Sequence, residues 1–361
     1  MKWVIVAGGT GGHLIPGIAI AEELLQMGDE LLFMAGNRQI ERFILKDRPF
    51  SVYHLDVEGF VGRSLKDKIR ASFKLLKAFN RAYKILREFS PHVILAEGGY
   101  VSVPVVLAGK VLKKKIALHE QNLIPGKANL LLSKLVDRVF ISFAESKKYF
   151  PEKKILFSGN PVRKDLLVER KREHQGRGLL VLGGSLGARF INQLILETIE
   201  ELYHAVPNLY LIHQTGHEDF EVVKNAYEKL PLWEKYKERI KIFPFIEDMG
   251  WAYSQADLVL GRAGATTIAE LIALKKPAIL IPYPYATQGH QEKNAEVLTY
   301  SGCALMFKQD KLDKKVFLME LKDLLLNNER LEKMSEAYKN FGVKAPEKVI
   351  IEEMKKLVKG N

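Results

Sequence analysis

The first residues that could do chemistry are four glycines and a histidine near the start of the chain. In the opening MKWVIVAGGTGGHLIPGIAIAEELL, Gly8–Gly12 holds four glycines in five residues, and His13 follows at once. Glycine lets the backbone bend sharply and bring its N–H groups close to a ligand, and the predicted helix turns its partly positive end toward the loop. An imidazole titrates at about pH 6.5 and can accept a proton at neutral pH. This predicts a seat for diphosphate or another electron-rich group, unless the glycines only form a tight turn.

A second glycine-rich loop and a carboxylate occur in the other half of the chain. Gly183–Gly187 follows an apolar run and precedes an amphipathic segment, which repeats the opening design. Further on, DLVLGRAGATTIAELIALKKPAILIP predicts a strand, a tight turn at Arg262–Gly264 and a helix that bears Glu270. That carboxylate could accept both hydroxyls of a ribose whose diphosphate lies at the helix end. The alternative is that Glu270 only complements the helix dipole.

Neither loop matches the two commonest phosphate-binding signatures. A P-loop has Gly-Lys-Ser/Thr at the start of its helix, and both loops lack that sequence. A dinucleotide site has G-x-G-x-x-G and an acidic residue at the end of the second strand. Here Leu14 takes the place of the third glycine, and the second strand runs into Asn37 without an acid. A nicotinamide dinucleotide is therefore disfavoured.

Length and composition restrict the class of protein. A chain of 361 residues is too long for one ordinary core and suggests two domains. Its 55 basic and 43 acidic residues give a net charge of +12, which favours a polyanionic partner: nucleic acid, anionic lipid or a phosphorylated substrate. The single cysteine, Cys303, excludes an internal disulfide and a cysteine-rich metal site. No signal peptide and no apolar stretch of about 18 residues is found, which predicts a cytosolic protein that can still rest on a membrane.

Apolar runs of strand length alternate with helix-length amphipathic segments, which predicts an α/β fold with parallel sheets. A polar, aperiodic segment at 160–178 is predicted to be a linker, after which the pattern restarts. We therefore expect two Rossmann-like domains, 1–159 and 160–342, that face each other across a ligand-binding cleft. The helix at about 343–361 could dock on either domain and is assigned to the first. Besides the strand before Gly183, strands are predicted at 2–7, 30–35, 92–97, 115–120, 138–142, 154–158, 209–213, 239–245, 257–261, 277–282 and 303–307.

The segment 66–88 predicts an amphipathic helix whose outer face is almost entirely cationic, with eight Lys or Arg and two acids. This pattern is typical of a helix at an anionic membrane surface, and Lys113–Lys115 could extend the patch. The alternatives are a solvated surface helix or a nucleic-acid site, for which stacking aromatics and a reader motif are missing. The predicted membrane face combines an apolar stripe with a basic one: Ile69, Phe73, Leu76, Phe79 and Tyr83 beside Arg70, Lys74, Lys77, Arg81 and Lys84.

Eight short motifs in one order carry a resemblance to a known family. The chain resembles the bacterial UDP-N-acetylglucosamine transferases of glycosyltransferase family 28, which glycosylate undecaprenyl-pyrophosphoryl-N-acetylmuramoyl-pentapeptide (lipid I) to make lipid II for peptidoglycan. The resemblance runs from Lys2 to about Met354. The motifs are GGTGGH (8–13), GGYVSVP (98–104), HEQN (119–122), GNPVR (159–163), GGSLGA (183–188), FIEDM (245–249), RAGATTIAE (262–270) and HQEKNA (290–295).

This resemblance implies a two-domain GT-B fold and inverting transfer of GlcNAc from UDP-GlcNAc to the 4-hydroxyl of lipid I. It implies a peripheral enzyme at the cytoplasmic face of the plasma (inner) membrane, in contact with anionic lipid. No cofactor and no nucleic acid are expected, and proteins of cell-wall synthesis or cell division are possible partners.

The resemblance also implies which residues bind the donor. His290 stands where the family often has a second glutamine, and Thr266 replaces a commoner aliphatic residue. The helix N-termini at Ser185 and Ala265, with Arg163, would stabilise the departing UDP. The remaining donor contacts are Thr10, Gly11, Gly12 and Asn122 beside the sugar, Ile246 at the uracil edge, Glu270 on the ribose and Gln291 on the GlcNAc hydroxyls.

The implied reaction needs one base to take the proton of the acceptor hydroxyl. His13, the titratable side chain next to the first glycine loop, is the predicted base. The alternative is that His13 caps the helix or orients substrate, and that His119 or Glu120, at a strand end, takes the proton.

The acceptor's pyrophosphate is assigned to the loop Gly98, Gly99 and Tyr100, unless these residues only form a turn before a buried helix. No metal is expected, because the acidic pairs Glu247-Asp248 and Glu218-Asp219 are better explained as helix N-terminal acids. Three rival functions are a GT-B glycolipid synthase acting on diacylglycerol, a UDP-GlcNAc epimerase, and a non-catalytic nucleotide-sugar sensor or membrane scaffold. An epimerase leaves the cationic helix unexplained, and a sensor leaves His13 without a role.

Overall fold

The computed structural model describes residues 1–9, 11–58, 65–184, 187–341 and 345–360. The chain divides into two compact units, of which the first is Met1–Arg163 with Val343–Asn361 and the second is Lys164–Gly342. Each unit is a parallel sheet packed with helices, so the predicted α/β fold with two Rossmann-like domains is confirmed. Within the described ranges, no helix combines the length and apolarity needed to cross a bilayer.

The first unit contains the parallel strands β1 (Lys2–Ala7), β2 (Glu30–Ala35), β3 (Ser51–His54), β4 (Val93–Gly98), β5 (Lys115–Glu120), β6 (Arg138–Ile141) and β7 (Ile155–Phe157). They lie in the order β3-β2-β1-β4-β5-β6-β7. Along β1, Trp3 and Ile5 join one buried cluster and Val4 and Val6 another, as in a sheet covered on both faces. The order reverses between β1 and β4, and ligands bind at the carboxyl ends of strands beside such a switch point.

Helices α1 (Gly11–Gln26), α2 (Gln39–Ile44), α3 (Leu65–Phe89), α4 (Ser102–Val111) and α5 (Lys127–Leu132) connect these strands. Helix α1 buries Leu14 and Ile18 in the cluster of Trp3. Helices α3 and α4 cover the opposite face, where Ala82 and Val105 pack with Val4. The sheet therefore has helices on both sides, and the loops at its carboxyl edge are left to form a site.

The second unit repeats the design with β8 (Arg177–Leu182), β9 (Leu209–Gln214), β10 (Ile240–Phe243), β11 (Leu258–Gly261), β12 (Ala278–Leu280) and β13 (Ala304–Met306). Their order is β10-β9-β8-β11-β12-β13, so the switch point lies between β8 and β11. The helices are α6 (Arg189–Ala205), α7 (Phe220–Glu228), α8 (Trp233–Tyr236), α9 (Met249–Gln255), α10 (Ala265–Leu274), α11 (His290–Tyr300), α12 (Lys314–Leu326) and α13 (Asn328–Ala337).

The last helix, α14 (Pro346–Lys359), returns to the first unit. Its apolar side chains Ile350, Ile351 and Met354 are fully buried in the same cluster as Trp3. An ion pair of 2.9 Å joins Glu353 to Arg138. The chain therefore ends on the unit in which it began.

Two sequence expectations were wrong in detail. Strand β3 was not predicted, because only four residues alternate between exposed and half-buried at the edge of the sheet. The segment predicted as a linker packs on the second unit over most of its length. Its Leu166 is buried, its Arg172 makes two hydrogen bonds of 2.8 and 2.6 Å to Asp257, and its His174 ring stacks on Tyr210 at 4.0 Å.

Asp257 therefore anchors this segment to the sheet. Burial by itself raises the pKa of the Asp257 carboxyl, but hydrogen bonds from Arg172 and the Gly178 N–H outweigh it and hold that pKa below its usual value of 3.8. A pKa that folding lowers contributes stability above the unfolded value and loses it as pH falls through the folded one. The contribution of Asp257 is thus complete at neutral pH.

We expect Asp257→Asn to lower the free energy of unfolding of the second unit by about 2 kcal/mol at pH 7, because charge-assisted hydrogen bonds are lost. The difference from the parent protein should shrink as pH falls below 3.8. Urea unfolding measures the free energy of unfolding of the second unit when it is followed by the fluorescence of Trp233 and Trp251 in a Trp3→Phe background. Asp323→Asn, in a more exposed pair with Arg330, is the control and should cost less than about 1 kcal/mol. Equal losses at pH 7 and pH 3 would contradict the anchoring role.

Candidate active site

The first glycine loop lies where β1 ends and α1 begins. Gly9 has a φ of +107°, a conformation that favours glycine, and Gly11 and Gly12 start α1. The N–H of Gly9 donates to the Glu41 carboxylate at 2.5 Å, and Glu41 is buried. An internal carboxylate thus already engages this amide, and the predicted seat for diphosphate or another electron-rich group stays a prediction. Thr10 lies outside the described residues.

The loop Gly98, Gly99 and Tyr100 lies directly against the first glycine loop. Gly98 and Gly99 have φ of +110° and +80°. A Cβ on Gly99 would stand 2.1 Å from the carbonyl oxygen of Gly8, so only glycine allows the two loops to touch. Ser102, at the start of α4, donates to the Gly98 carbonyl at 2.8 Å. The two motifs at the β1/β4 switch point therefore form one surface.

His13 lies in the first turn of α1 and is half-buried. Its Nδ1 is 2.7 Å from Oε1 of Gln121. Its Cε1 edge faces Gly98, because a Cβ built there would be 3.0 Å from that atom. The ring therefore lies between the loop of Gly98 and Gly99 and the loop after β5.

Behind His13 lies a buried polar cluster at the ends of β4 and β5, made of Glu97, His119 and Gln121. Gln121 Nε2 donates to the Glu97 carbonyl oxygen and to Glu97 Oε2, each at 2.8 Å. His119 Nδ1 is 2.8 Å from Glu97 Oε2, and His119 Nε2 is 3.1 Å from the Gly159 carbonyl oxygen. All three side chains are fully buried, so this cluster fixes the surroundings of His13.

Glu120 is also fully buried, and its carboxylate holds the loop that follows β5. Oε1 accepts from the Asn122 N–H at 2.9 Å, and Oε2 accepts from Asn129 Nδ2 at 2.8 Å and from the Gly126 N–H at 3.2 Å. A carboxylate engaged on both oxygens is occupied with positioning this loop. The geometry therefore favours His13 over Glu120 as the residue that meets a substrate.

In the second unit, Gln214 at the end of β9 links the glycine loop to the segment of Ile246. Its Nε2 donates to the Gly184 carbonyl at 3.0 Å, and its Oε1 accepts from the Ile246 N–H at 2.8 Å. A Cβ on Gly187 would lie 2.2 Å from the Thr215 carbonyl, so the loop needs glycine to lie against the end of β9. Two predicted donor-binding segments are thus held by one side chain. Ser185 lies outside the part of the chain that the structure describes.

Glu270 occupies α10 less than two turns after its first residue, Ala265. The carboxylate is buried, and its Oε2 accepts from the Tyr253 hydroxyl at 2.9 Å. Thr266, in the first turn of α10, is half-buried. The helix therefore follows Gly264, which has no side chain to cap it, and carries a carboxylate that Tyr253 orients.

Arg262 precedes this helix and is buried. Burial lowers the pKa of its guanidinium to about 10. The group donates to the Ile281 carbonyl at 3.0 Å and to Gln309 at 2.8 Å. Arg262 thus ties the turn before α10 to the end of β12, and the predicted tight turn gains its rigidity from this side chain.

His290 and Gln291 open helix α11 and are half-buried. His290 Nδ1–H donates to the Thr287 carbonyl at 2.7 Å, since a carbonyl can only accept. Gln291 Oε1 accepts from the Tyr283 N–H at 2.9 Å, which leaves its NH₂ group for other acceptors. Both side chains therefore keep one polar atom for a ligand.

Helix α3 carries two separate stripes. Ala71, Ala78, Ala82 and Leu86 are buried against the core. The opposite side is exposed, and we call it the α3 outer face; Phe73 is 64% exposed and Leu76 58%. The remaining described members of that face are the exposed cations Arg70, Lys77, Arg81 and Lys84.

Three members of the predicted membrane face are placed differently by the structure. Lys74 is held by Glu58 at 2.5 Å and by Asp56 at 3.2 Å, so its charge is already paired. Phe79 and Tyr83 pack against the core and stack on each other at 6.4 Å. The helical spacing did not separate the core stripe from the outer one. The side chain of Ile69 lies outside the described residues.

Across the described ranges, no group of three His, Cys, Asp or Glu side chains could hold a metal ion. Asp248 caps α9 by accepting from the Trp251 N–H at 2.9 Å, as its sequence context predicted. Asp219 precedes α7 but accepts from Arg189 and Asn192 instead. These acids thus have structural partners.

Sequence reasoning missed four side chains that organise the sites: Glu41, Gln121, Gln214 and Tyr253. Gln121 and Gln214 each follow or end a predicted apolar strand. A polar residue at the carboxyl end of a central parallel strand is a signal that could have found both. Glu41 and Tyr253 lie on helices far from their partners in the chain, and no local pattern marks them.

Comparison with known proteins agrees with this arrangement. Models of the glycosyltransferase family 28 N-terminal and C-terminal domains match residues 3–141 and 178–353. A Geotalea daltonii protein named UDP-N-acetylglucosamine–N-acetylmuramyl-(pentapeptide) pyrophosphoryl-undecaprenol N-acetylglucosamine transferase is 38% identical over 361 residues, covering 98% of this chain and 97% of the relative. The crystal structure of Acinetobacter baumannii MurG superposes with a TM-score of 0.74 at 28% identity, covering 99% and 100% of the two chains.

Two Rossmann-like units with this pair of sites define the GT-B class of fold. Fold alone does not separate the members of that class: a putative UDP-N-acetylglucosamine 2-epimerase of Listeria monocytogenes also superposes at 0.74, covering 100% and 97% of the two chains, but with 16% identity. The full-length sequence match does separate them. The chain belongs to glycosyltransferase family 28, as the eight motifs predicted.

Proposed function

We propose that the chain transfers N-acetylglucosamine from UDP-GlcNAc to the 4-hydroxyl of the muramoyl sugar of lipid I, with inversion at C1, and so forms lipid II. The observation that carries this proposal is the 38% identity to the Geotalea daltonii transferase along nearly the whole of both chains. It extends through both units and so includes the residues proposed for donor and acceptor. An epimerase is disfavoured, because the likeness to the epimerase above is one of fold.

The second unit is the proposed donor site. Glu270, buried and oriented by Tyr253, suits the two hydroxyls of a ribose. With the ribose there, the N-terminus of α10 at Ala265 and Thr266 faces the diphosphate, where helix N–H groups and the helix dipole favour negative charge. Arg163 and Ser185 are proposed to add to this stabilisation.

The remaining donor contacts are proposed from the loops around α10. The N–H of Ile246 is engaged by Gln214, so its carbonyl is the group offered to the uracil edge. Gln291 and His290 offer an amide NH₂ and a ring Nε2 to the GlcNAc hydroxyls. The sugar is then held by directional hydrogen bonds, and the diphosphate by the helix end.

The first unit is the proposed acceptor site, with Gly98, Gly99 and Tyr100 next to the pyrophosphate. Its residues Thr10, Gly11, Gly12 and Asn122 are proposed to lie beside the donor sugar. His13 is the proposed base: its Nε2 takes the proton of the 4-hydroxyl while the oxygen attacks C1 and UDP leaves with the bonding electrons. His119 and Glu120 are fully buried and hydrogen-bonded. They therefore support the site without reaching substrate.

The α3 outer face is the proposed membrane contact, which would place the enzyme peripherally at the cytoplasmic face. Phe73 and Leu76 expose apolar surface that the core does not need. Arg70, Lys77, Arg81 and Lys84 surround them with positive charge. Apolar side chains ringed by cations match a surface rich in anionic lipid.

The activity is tested by incubating the protein with UDP-GlcNAc and a short-chain lipid I analogue in buffer containing EDTA. We expect UDP and a disaccharide-lipid whose new linkage is inverted at C1, followed by coupled UDP detection and mass spectrometry. EDTA should not reduce the rate, because no metal is part of the proposal. An altered nucleotide sugar formed without acceptor, or a product formed only with diacylglycerol, would contradict it.

His13→Ala should lower kcat by about 10²–10⁴-fold, the range for loss of a general base, while UDP affinity stays the same. Steady-state kinetics and calorimetric UDP titration measure the two quantities. His92→Ala is the matched control, because His92 is exposed at the amino end of the same sheet, where it accepts from the Lys2 N–H. Turnover of His13→Ala near the parent value would rule out His13 as base.

Reversing three charges of the α3 outer face with Arg70→Glu, Lys77→Glu and Arg81→Glu should abolish binding to vesicles containing anionic phospholipid. Each basic residue contributes roughly 1 kcal/mol at such a surface, so at least a hundredfold loss is expected. Vesicle co-sedimentation measures it. The control reverses Lys229, Lys311 and Lys315, exposed lysines of the second unit, and changes net charge equally. Equal loss in both variants would refute a specific docking face.

A further inference from the structure

The orientation of the Gln121 amide is determined by its neighbours. Its Nε2 lies 2.8 Å from the Glu97 carbonyl oxygen and 3.3 Å from the His119 carbonyl oxygen. Carbonyl oxygens can only accept hydrogen bonds, so the NH₂ group of the amide must point toward them. The opposite orientation would set an amide oxygen against two carbonyl oxygens in a fully buried place. Oε1 of Gln121 therefore points to His13.

This orientation also determines which nitrogen of His13 carries the proton. Oε1 of Gln121 is 2.7 Å from His13 Nδ1 and can only accept. Nδ1 must then be the N–H, and Nε2 keeps its lone pair. No described residue makes a hydrogen bond to Nε2. The neutral ring thus has its basic nitrogen on the side away from the buried cluster.

We propose that Gln121 is a positioning residue that locks His13 in the tautomer with a basic Nε2. The inference rests on the proposed role of His13 as base, and it extends that role to a residue that touches no substrate. In the transfer, the O4–H bond of the acceptor breaks, its proton goes to Nε2, and O4 forms a bond to C1 as the C1–O bond to UDP breaks. Gln121 then stabilises the imidazolium through the same Nδ1–H bond, and no second proton has to move.

Glu97 and His119 keep the amide in place from behind. The Gly159 carbonyl accepts from His119 Nε2–H, so Nδ1 of His119 and Oε2 of Glu97 share one proton at 2.8 Å. Gln121 Nε2 donates to the same Glu97 oxygen. This arrangement ties the ends of β4 and β5 to Gly159 and holds the NH₂ group of Gln121 toward Glu97.

The backbone around the ring is built for this contact. An ideal Cβ on Gly17 of α1 would lie only 3.2 Å from Cγ of Glu97, so glycine lets the helix lie close to β4 without displacing that side chain. Gly98 similarly leaves space for the His13 ring edge. Two glycines thus bring α1, and with it His13, within hydrogen-bond distance of Gln121.

The test variant is Gln121→Met, which keeps side-chain length and removes the acceptor. We expect kcat to fall about 10- to 100-fold, as for other residues that orient a functional histidine, with the KM for UDP-GlcNAc within about twofold of the parent value. In Gln121→Glu one carboxyl oxygen faces His13 Nδ1–H and the other takes the place of the NH₂ group beside the Glu97 carbonyl and carboxylate. Burial next to Glu97 favours the protonated carboxyl, whose O–H can donate there, so this variant should recover most of the loss. Gln255→Met is the matched control, because Gln255 is fully buried and hydrogen-bonded to Lys171 and Glu173 in the second unit. It should lower stability and leave kcat unchanged.

The tautomer itself is read by nitrogen-15 NMR of histidine-labelled protein, with His13 assigned by its absence in His13→Gln. In the parent and in Gln121→Glu, Nδ1 should have the shift of a protonated ring nitrogen and Nε2 that of an unprotonated one. In Gln121→Met both shifts should move to intermediate values. Parent-like shifts or parent-like kcat in Gln121→Met would overturn the inference.

These readouts separate the two proposals. If the parent protein transfers no GlcNAc to lipid I, the proposed function fails, and the NMR spectra still decide whether Gln121 sets the tautomer. If the parent is active and Gln121→Met loses kcat without a change in His13 shifts, the positioning role fails and the proposed function stands. If Gln121→Met does not fold, Gln121→Glu decides: loss of the Nδ1–H tautomer there would also overturn the inference.

Discussion

Polar groups that are buried at neighbouring strand ends must form hydrogen bonds with one another. This constraint applies along the carboxyl edge of the first sheet, and the hydrogen bond between Gln121 and His13 depends on it. Glu97 ends β4, His119 and Glu120 end β5, and both strands are central. An unpaired polar group in such a place costs about 1–3 kcal/mol. The buried polar side chains at the strand ends therefore have few possible orientations. A side chain that is hydrogen-bonded to them is held in one orientation as well.

The second unit meets the same constraint with different residues. Gln214 ends β9 and joins two loops, as Gln121 joins a strand end to a helix. Next to it in the chain, His213 is fully buried, and burial lowers its pKa to about 3, so the ring is neutral. Its Nε2–H donates to Asn192 Oδ1 at 3.0 Å, and its Nδ1 accepts from the Tyr227 hydroxyl at 2.9 Å. The fully buried, neutral His213 is a structural element, whereas His13 of the first unit is only half-buried and is the histidine proposed to meet a substrate.

The secondary structure of both units was predictable from the sequence wherever the signal lies within a few neighbouring residues. Apolar runs placed the central strands within a residue or two, because a strand covered on both faces must be apolar throughout. Edge strand β3 has no such requirement and was missed. The segment 160–178 was predicted to be a linker because it is rich in charged residues and has no apolar periodicity. In the structure, however, Arg172 of this segment is hydrogen-bonded to Asp257, which lies far along the chain.

Within the sites, too, the sequence did not show which contacts the candidate side chains make. Glu120 was a candidate base because strand ends carry functional residues, and the sequence contains nothing to show that Asn122, Gly126 and Asn129 surround its carboxylate. Lys74 matched a cationic stripe, yet Glu58 pairs with it across a loop. Residue types and spacing identify candidates, whereas the hydrogen-bond and ion-pair partners that the folded chain brings to each side chain limit which of them can contact a substrate.

The polar groups that the two units provide fit the two requirements of inverting glycosyl transfer. One group must receive a proton at the acceptor, and another must hold the negative charge that develops on the leaving diphosphate. In the first unit the buried cluster orients one imidazole, and in the second Tyr253 and Arg262 hold a carboxylate and a helix start in place. Each part is ordered by contacts within its own unit, so neither has to be assembled during the reaction. Preorganised dipoles of this kind stabilise a transition state without further reorganisation. Under the proposed function, the buried amide of Gln121 therefore contributes through His13 without touching the substrate.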